Sequence, residues 1–159
     1  MAAITAALIK QVREETGAGM MDVKKALTEA EGDVARAKEI IRAKGIQAAG
    51  KREGRKAQEG TIASQVVESA NGQTGYAVEL NSETDFVAKN EVFQAFVKDL
   101  ALVVANENPA DVEALKACTY PGTDRTVSDV TADKVLAIGE NIQIRRFVRY
   151  AEGVNVPYI

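Results

Sequence analysis

The segment NSETDFVAKN, from Asn81 to Asn90, places a carboxylate and an aromatic ring side by side in a polar stretch. Apolar and polar residues alternate over 76–81 and predict a half-buried strand, whereas the apolar residues after the segment recur at helical spacing. The chain must therefore turn between these elements, and Phe86 lies in that turn beside Asp85. Connecting segments lie on the surface and often carry function, so this turn is the first candidate site.

The residues alone leave several roles open for this turn. Thr84 or Asp85 can cap the next helix, with Phe86 closing its first turn by packing against it. An exposed ring can instead bury itself in a partner protein, as aromatic residues do in binding hot spots. A third alternative is a small enzyme that uses the carboxylates of Glu79, Glu83 and Asp85.

The composition argues against most enzyme classes. The chain of 159 residues has no histidine, so the commonest general base near neutral pH and the commonest metal ligand are both missing. Its single cysteine, Cys118, excludes an internal disulfide and a multi-cysteine zinc site, and we interpret it as structural or merely tolerated. We therefore predict no metal site, no cofactor and no covalent catalysis.

Charge and hydropathy point to a protein partner rather than a nucleic acid or a membrane. The formal net charge is −3, whereas general nucleic-acid binders are more often basic. No apolar run approaches the length that crosses a membrane, and the first residues lack the pattern of a secretory signal. A cytoplasmic protein is the expectation.

One apparent nucleotide motif fails on inspection. Gly45, Gly50 and Lys51 have most of the spacing of a phosphate-binding loop. Arg52, however, stands where a hydroxyl should hold magnesium, and the segment follows a predicted helix rather than a strand. We interpret this basic stretch as a solvated linker.

The first part of the chain predicts a small bundle of three helices. Gly17 is expected to end the first helix, Asp33 to cap the third, and Gly45 to follow the last residue of the third. The apolar stripes that predict the three inner faces are Ile4, Leu8 and Val12; Val23, Ala26, Leu27 and Ala30; and Val34, Ala37 and Ile41. Met20 and Met21 follow the first turn and suit an adaptable binding surface, although one of them can instead pack inside.

The second part predicts an antiparallel sheet with helices packed on it, which makes the fold class α+β. The arginines of its last strand, Arg145, Arg146 and Arg149, are interpreted as a solvated sheet face with ion pairs. Ser128 is expected to cap the last helix and Gly139 to end it. The predicted elements are a hairpin of 61–69 and 74–80 turning at Asn71-Gly72, helices over 91–106, 110–118 and 128–138, and a strand over 141–152. The expected organisation is a three-helix bundle over 1–45, a basic glycine-containing linker over 46–60, and an α+β core over 61–159.

Three motifs together resemble the elongation factor Ts family. They are Thr84–Val87 after a strand, Thr16–Asp22 near the start, and Ile138–Ile142 near the end, and they occur in the expected order. That family contains the guanine-nucleotide exchange factors of the translation GTPase elongation factor Tu. The resemblance implies a bundle of the ubiquitin-associated type and a last strand that completes the sheet begun by the hairpin.

The resemblance also implies partners and residue roles. Elongation factor Tu, GDP-bound or nucleotide-free, is the expected partner, and the chain is expected to promote GDP release during translation elongation. Phe86 matches a wedge that dislodges the magnesium ion; Asp85 would orient the turn or contact the partner's switch region, and Thr84 and Val87 would shape it. The other implied contacts are Arg13, Met20 and Met21, which face the GTPase domain, and Ile138 and Gly139, which lie near the nucleotide pocket.

The chain is shorter than the usual family member, and one alternative function stays open. Family members usually continue with a second half of the core and often a helical hairpin, so we expect a truncated chain or an unusually short member, with the oligomeric state open. The alternative function is a non-catalytic adaptor that binds another protein through its helical bundle.

Overall fold

The computed structural model describes residues 4–69, 72–151 and 153–158. Within these ranges the chain forms seven helices and a three-stranded antiparallel sheet, which confirms the predicted α+β class. The elements are α1 (Ala6–Thr16), α2 (Met20–Glu29), α3 (Val34–Arg52), β1 (Glu59–Ser69), β2 (Gly72–Ser82), α4 (Asp85–Ala88), α5 (Glu91–Glu107), α6 (Val112–Ala117), α7 (Val127–Ile138) and β3 (Gln143–Tyr150). They belong to two compact units: residues up to Gly54 with Asp129–Glu140, and Arg55–Ser128 with the residues from Asn141 onward.

The first unit is built around a small apolar core. The predicted caps are confirmed: Gly17 ends α1 with φ 68° and donates its N–H to the carbonyl of Arg13, and the Asp33 side chain accepts from the N–H of Arg36. Leu136 of α7 packs against this core. The buried residues come from the predicted stripes and are Val12, Val23, Ala26, Leu27, Ala30, Ala37 and Ile41, together with Ala18.

The prediction that Gly45 ends the third helix is wrong. Helix α3 continues to Arg52, so the expected linker over 46–60 is helical in its first part. Gly45 is a buried residue in the middle of α3, and a Cβ there would lie 3.3 Å from the carbonyl oxygen of Ala132 and 3.1 Å from Oδ1 of Asp133. Because Gly45 has no side chain, α7 can approach α3 closely at this point. Further along α3, Arg52 donates to the carbonyl of Val135 on α7.

Gly50 offers a direct test of the extended helix. We expect Gly50→Ala to raise the free energy of unfolding by about 0.5–1 kcal/mol, because alanine is the better helix former and no heavy atom lies within 4 Å of the added Cβ. Gly45→Ala is the matched control in the same helix, and its contacts with α7 should offset the same gain. Urea unfolding measures both, and no stabilisation by Gly50→Ala would contradict a helix that continues past Gly45.

The second unit contains the sheet in the order β1-β2-β3, with the predicted hairpin as its first pair. Gly72 adopts φ 111°, whereas its partner in the predicted turn, Asn71, lies outside the described residues. One face of the sheet is buried, because the alternating side chains of β2 share a core with α5. The central residues of that core are Tyr76, Val78, Leu80, Phe93, Phe96 and Leu100.

The last elements confirm most of the predicted order. Gly139 ends α7 as predicted, with φ 85° and its N–H donating to the carbonyl of Val135. The prediction that Ser128 caps α7 is wrong, because the helix begins one residue earlier, at Val127. Strand β3 completes the sheet over Gln143–Tyr150, so the predicted strand over 141–152 is too long at both ends; Glu152 itself lies outside the described residues. Arg146 of this edge strand pairs with Glu79, its Nε lying 2.7 Å from Oε2.

Two further structural findings bear on function. Among the residues that the structure describes, no helix is both long and apolar enough to cross a membrane. Cys118 is half-buried, its Sγ donates to the carbonyl of Ala114, and burial raises the pKa of its thiol. A protonated, hydrogen-bonded thiol agrees with the structural interpretation of this residue.

Candidate functional site

The turn that follows β2 contains one extra helical turn, α4, before α5 begins. Thr84 caps it, because its Oγ1 accepts from the N–H of Val87 at 3.4 Å. Asn90 caps α5 in the same way, its Oδ1 accepting from the N–H of Val92 at 2.9 Å. The capping role foreseen for Thr84 is therefore confirmed, but the helix that it caps is α4 rather than α5, and Asp85 is the first residue of α4.

Phe86 is held out in solvent by this turn. Its exposed fraction is 84%, whereas Val87 is half-buried and Ala88 is buried on the other side of α4. A ring that closed the first turn of a helix by packing would be largely covered. The structure therefore does not support the packing role that was open for Phe86, and leaves the ring available for contact with another molecule.

Asp85 places a negative charge beside that ring. Its Oδ2 lies 2.8 Å from Nζ of Lys89, one helical turn further along. The hydrogen bond from Lys89 holds the pKa of the Asp85 carboxyl below its ordinary value, which extends to lower pH the range in which this carboxyl is ionised, as it already is at neutral pH. The turn thus presents an apolar ring and a carboxylate together.

The backbone of the turn is fixed near both ends. At the entrance, the buried Ser82 donates its hydroxyl to the carbonyl of Thr84 at 3.0 Å. At the exit, Thr61 of β1 donates its hydroxyl to the carbonyl of Ala88 at 2.8 Å. Phe86 therefore projects from a held backbone rather than from an unsupported loop.

The remaining predicted contact residues belong to the first unit. Met20 and Met21 begin α2 and are 58% and 63% exposed, so the alternative in which one of them packs inside is wrong. Arg13 is an exposed residue of α1. Ile138 and Gly139 form the end of α7, and both are half-buried. The structure thus gathers Thr84–Val87 in one turn of the second unit and distributes the other five over three helix ends of the first.

The carboxylates near the turn are engaged in ion pairs. Each carboxylate considered for an enzyme has a cationic partner: Glu79 has Arg146, Glu83 has Arg55 and Asp85 has Lys89. No group of three or more potential metal ligands occurs within 4–69, 72–151 and 153–158. The turn presents an exposed apolar ring beside a charged group.

Sequence reasoning missed the residues that support the turn. The spacing of Asp85 and Lys89 by four residues was a readable signal of an ion pair on one helical face. Thr61 gave no such signal, because its bond to Ala88 depends on how β1 lies against α4.

Comparison with known proteins identifies close relatives. Residues 83–159 match the family described as Elongation factor TS. The chain is 65% identical over 156 residues to Elongation factor Ts of Bifidobacterium adolescentis, covering 98% of this chain and 53% of that protein. It is 66% identical to the protein of the same name from Bifidobacterium longum, covering 94% and 52%, and 50% identical to that of Syntrophotalea carbinolica, covering 98% and 51%. The chain spans about half the length of the curated relatives that it matches.

Proposed function

This chain belongs to the elongation factor Ts family, and from that premise we propose that it is a guanine-nucleotide exchange factor in translation elongation. It binds elongation factor Tu in the GDP-bound and nucleotide-free forms, displaces the magnesium ion and promotes GDP release. It acts by binding, without covalent chemistry or a cofactor of its own, in the cytoplasm. The observation that carries the proposal is the exposed Phe86 ring beside an ionised Asp85 on a held turn.

Binding energy alone is sufficient for this activity. A GTPase holds its nucleotide through backbone amides around the phosphates and through a magnesium ion. A protein that binds the empty GTPase more tightly than the loaded one must weaken nucleotide binding by the same factor. An inserted ring does this when the space that it occupies is available only after the elements that organise magnesium and phosphate have moved.

The magnitude of ring burial is adequate for the task. An aromatic side chain buries 150–250 Å² when fully enclosed, which corresponds to about 4–6 kcal/mol at 25 cal/mol per Å². Coupling free energies between two binding sites are typically about 1–3 kcal/mol. Phe86 is nearly fully exposed in this chain, so almost all of that area is available for the partner.

The other predicted residues supply further contacts, and those of Arg13, Met20 and Met21 do not depend on the nucleotide. Met20 and Met21 present two flexible apolar side chains, which suit adaptable surfaces, and Arg13 adds a cation in the same unit. Ile138 and Gly139 form a second contact near the nucleotide pocket. In this proposal Arg13, Met20 and Met21 anchor the partner, whereas Thr84–Val87 act on the magnesium ion.

Stopped-flow release of a fluorescent GDP from elongation factor Tu tests the proposal. We expect the full chain to accelerate GDP release at millimolar magnesium. The acceleration should shrink as magnesium is withdrawn, because removal of the ion, which is part of the chain's proposed effect, has then already occurred. Equal rates with and without the chain at every magnesium concentration would refute it. A pull-down that captures another protein and not the GTPase would favour the adaptor alternative.

A further inference from the structure

Glu83 ties the entrance of the Phe86 turn to a distant part of the second unit. Its Oε1 accepts from the backbone N–H of Asn141 at 2.7 Å, and Nη1 of Arg55 lies 3.4 Å from the same oxygen. The Glu83 side chain is only 23% exposed, and Asn141 is 3% exposed. A buried backbone N–H requires an acceptor, so this contact is part of the fold and not an incidental surface pair.

The bond belongs to a small polar network that joins three segments. Asn141 donates its side-chain amide to the carbonyl of Arg55 at 2.7 Å. Asn81, two residues before Glu83, donates its side-chain amide to the carbonyl of Ala57 at 3.1 Å. The segments 55–57, 81–83 and 141 are therefore joined directly before the residue that caps α4.

The turn needs anchors outside α4 because one helical turn is too short to hold its own direction. Helix α4 has four residues, and a single helical turn is not stable in isolation. Phe86 cannot fix the turn, because its ring is 84% exposed. A binding group must nevertheless be held close to its productive geometry, since ordering it during binding reduces the affinity.

We propose that Glu83 is a positioning residue for Phe86: by accepting from the N–H of Asn141, its carboxylate sets the direction in which α4 presents the ring. The proposal rests on the exchange function proposed above. The hydrogen bond to Asn141 carries the effect, and the contact with Arg55 adds little. The Arg55 side chain is 55% exposed, and exposed ion pairs contribute little to stability.

A pair of nearly isosteric substitutions separates these contributions. Glu83→Met keeps the length of the side chain and removes the acceptor, whereas Glu83→Gln keeps an oxygen that can accept from Asn141 and removes the charge. We expect Glu83→Met to lower the stimulated rate of GDP release about tenfold, and Glu83→Gln to stay within about threefold of the unchanged chain. Glu79→Ala is the matched control: Glu79 is also 23% exposed and also pairs with an arginine, but on the β2–β3 pair. It should change the rate less than about twofold.

Amide hydrogen exchange of the isolated chain reports on positioning without the GTPase. We expect Glu83→Met to speed exchange about tenfold at Asn141 and at Ala88, Lys89 and Asn90, whose N–H groups bond within the turn. The amide of Val78 in central β2 should be unchanged. A uniform increase at all of these amides would indicate general destabilisation and overturn the proposal, and so would an equal loss of rate in Glu83→Gln and Glu83→Met.

The two proposals fail in distinguishable ways. If the unchanged chain does not accelerate GDP release, the exchange function fails, but local loosening of the turn in Glu83→Met would still support the positioning role. If the unchanged chain is active and Glu83→Met has a normal rate, the positioning role fails alone. Should Glu83→Met not fold, Glu83→Asp decides, because it keeps the charge but shortens the side chain and so draws the acceptor away from the N–H of Asn141: a loss of about threefold in the rate supports the proposal, and an unchanged rate overturns it.

Discussion

Phe86→Ala is expected to lower the maximal rate of stimulated GDP release about 100-fold while the chain stays folded. The ring makes few contacts within its own chain, being 84% exposed, so its removal should change the free energy of unfolding by less than about 0.5 kcal/mol. In the proposed mechanism the ring acts after the partner has bound, when it displaces the elements that hold magnesium. Its loss should therefore reduce the rate at saturating concentrations of the chain, which stopped-flow release of a fluorescent GDP measures directly.

Two further substitutions make this test specific. Phe86→Leu keeps an apolar side chain but loses the flat ring, and should give a rate between those of the unchanged chain and Phe86→Ala. Leu102→Ala removes another exposed apolar side chain of the second unit, 43% exposed on α5, and should have no effect. A normal maximal rate in Phe86→Ala would remove Phe86 from the mechanism.

The frame around Phe86 was predictable because it depends on short-range patterns. Alternation over 76–81 gave the strand, and the spacing of Phe93, Phe96 and Leu100 gave the helix. Helix α4 was missed although its start signal, Thr84, had been recognised. Thr84 and Asn90 are two caps six residues apart, whereas a single helix start was expected between the strand and Phe93.

Features that depend on distant parts of the chain were not predictable. Gly45 has the local appearance of a residue that ends a helix, but its role is set by the approach of Ala132 and Asp133 on α7. Glu83 and Asn141 are separated by 58 residues, and no local pattern connects a strand-end carboxylate with one particular N–H. Such contacts follow from the tertiary arrangement, which overrides local propensity.

The exposure of the candidate site residues could also not be predicted from the sequence. A pair of methionines beside a glycine turn fits a core as well as a surface, and only the structure shows that both Met20 and Met21 are exposed. Their local conformation follows from residues that were identified: Gly17 turns the chain, and buried Ala18 precedes the start of α2 at Met20. The sequence pattern thus located the Met20-Met21 segment. Whether its side chains can contact a partner depends on their exposure, which only the structure shows.

The double substitution Met20→Ala with Met21→Ala should raise the concentration of chain that gives half-maximal GDP release about 100-fold. Full burial of a methionine side chain is worth about 1.5–3 kcal/mol, and somewhat more than half of each side chain is exposed, so the two truncations cost about 2–3.5 kcal/mol of binding, a range that includes the 100-fold effect. Both side chains are more than half exposed, so the fold should not change. The dependence of the stopped-flow rate on chain concentration gives the half-maximal value and the plateau in one experiment.

The plateau distinguishes an anchor from a wedge. If the methionines only hold the partner, their contacts are equal with and without nucleotide. At saturation the double variant should then release GDP at a rate within about threefold of the unchanged chain. Ile46→Ala provides the control, since Ile46 is a 54% exposed apolar residue of α3 in the same unit. A lowered plateau with an unchanged half-maximal concentration would place Met20 and Met21 in the release step, and would contradict the division of roles between the two units.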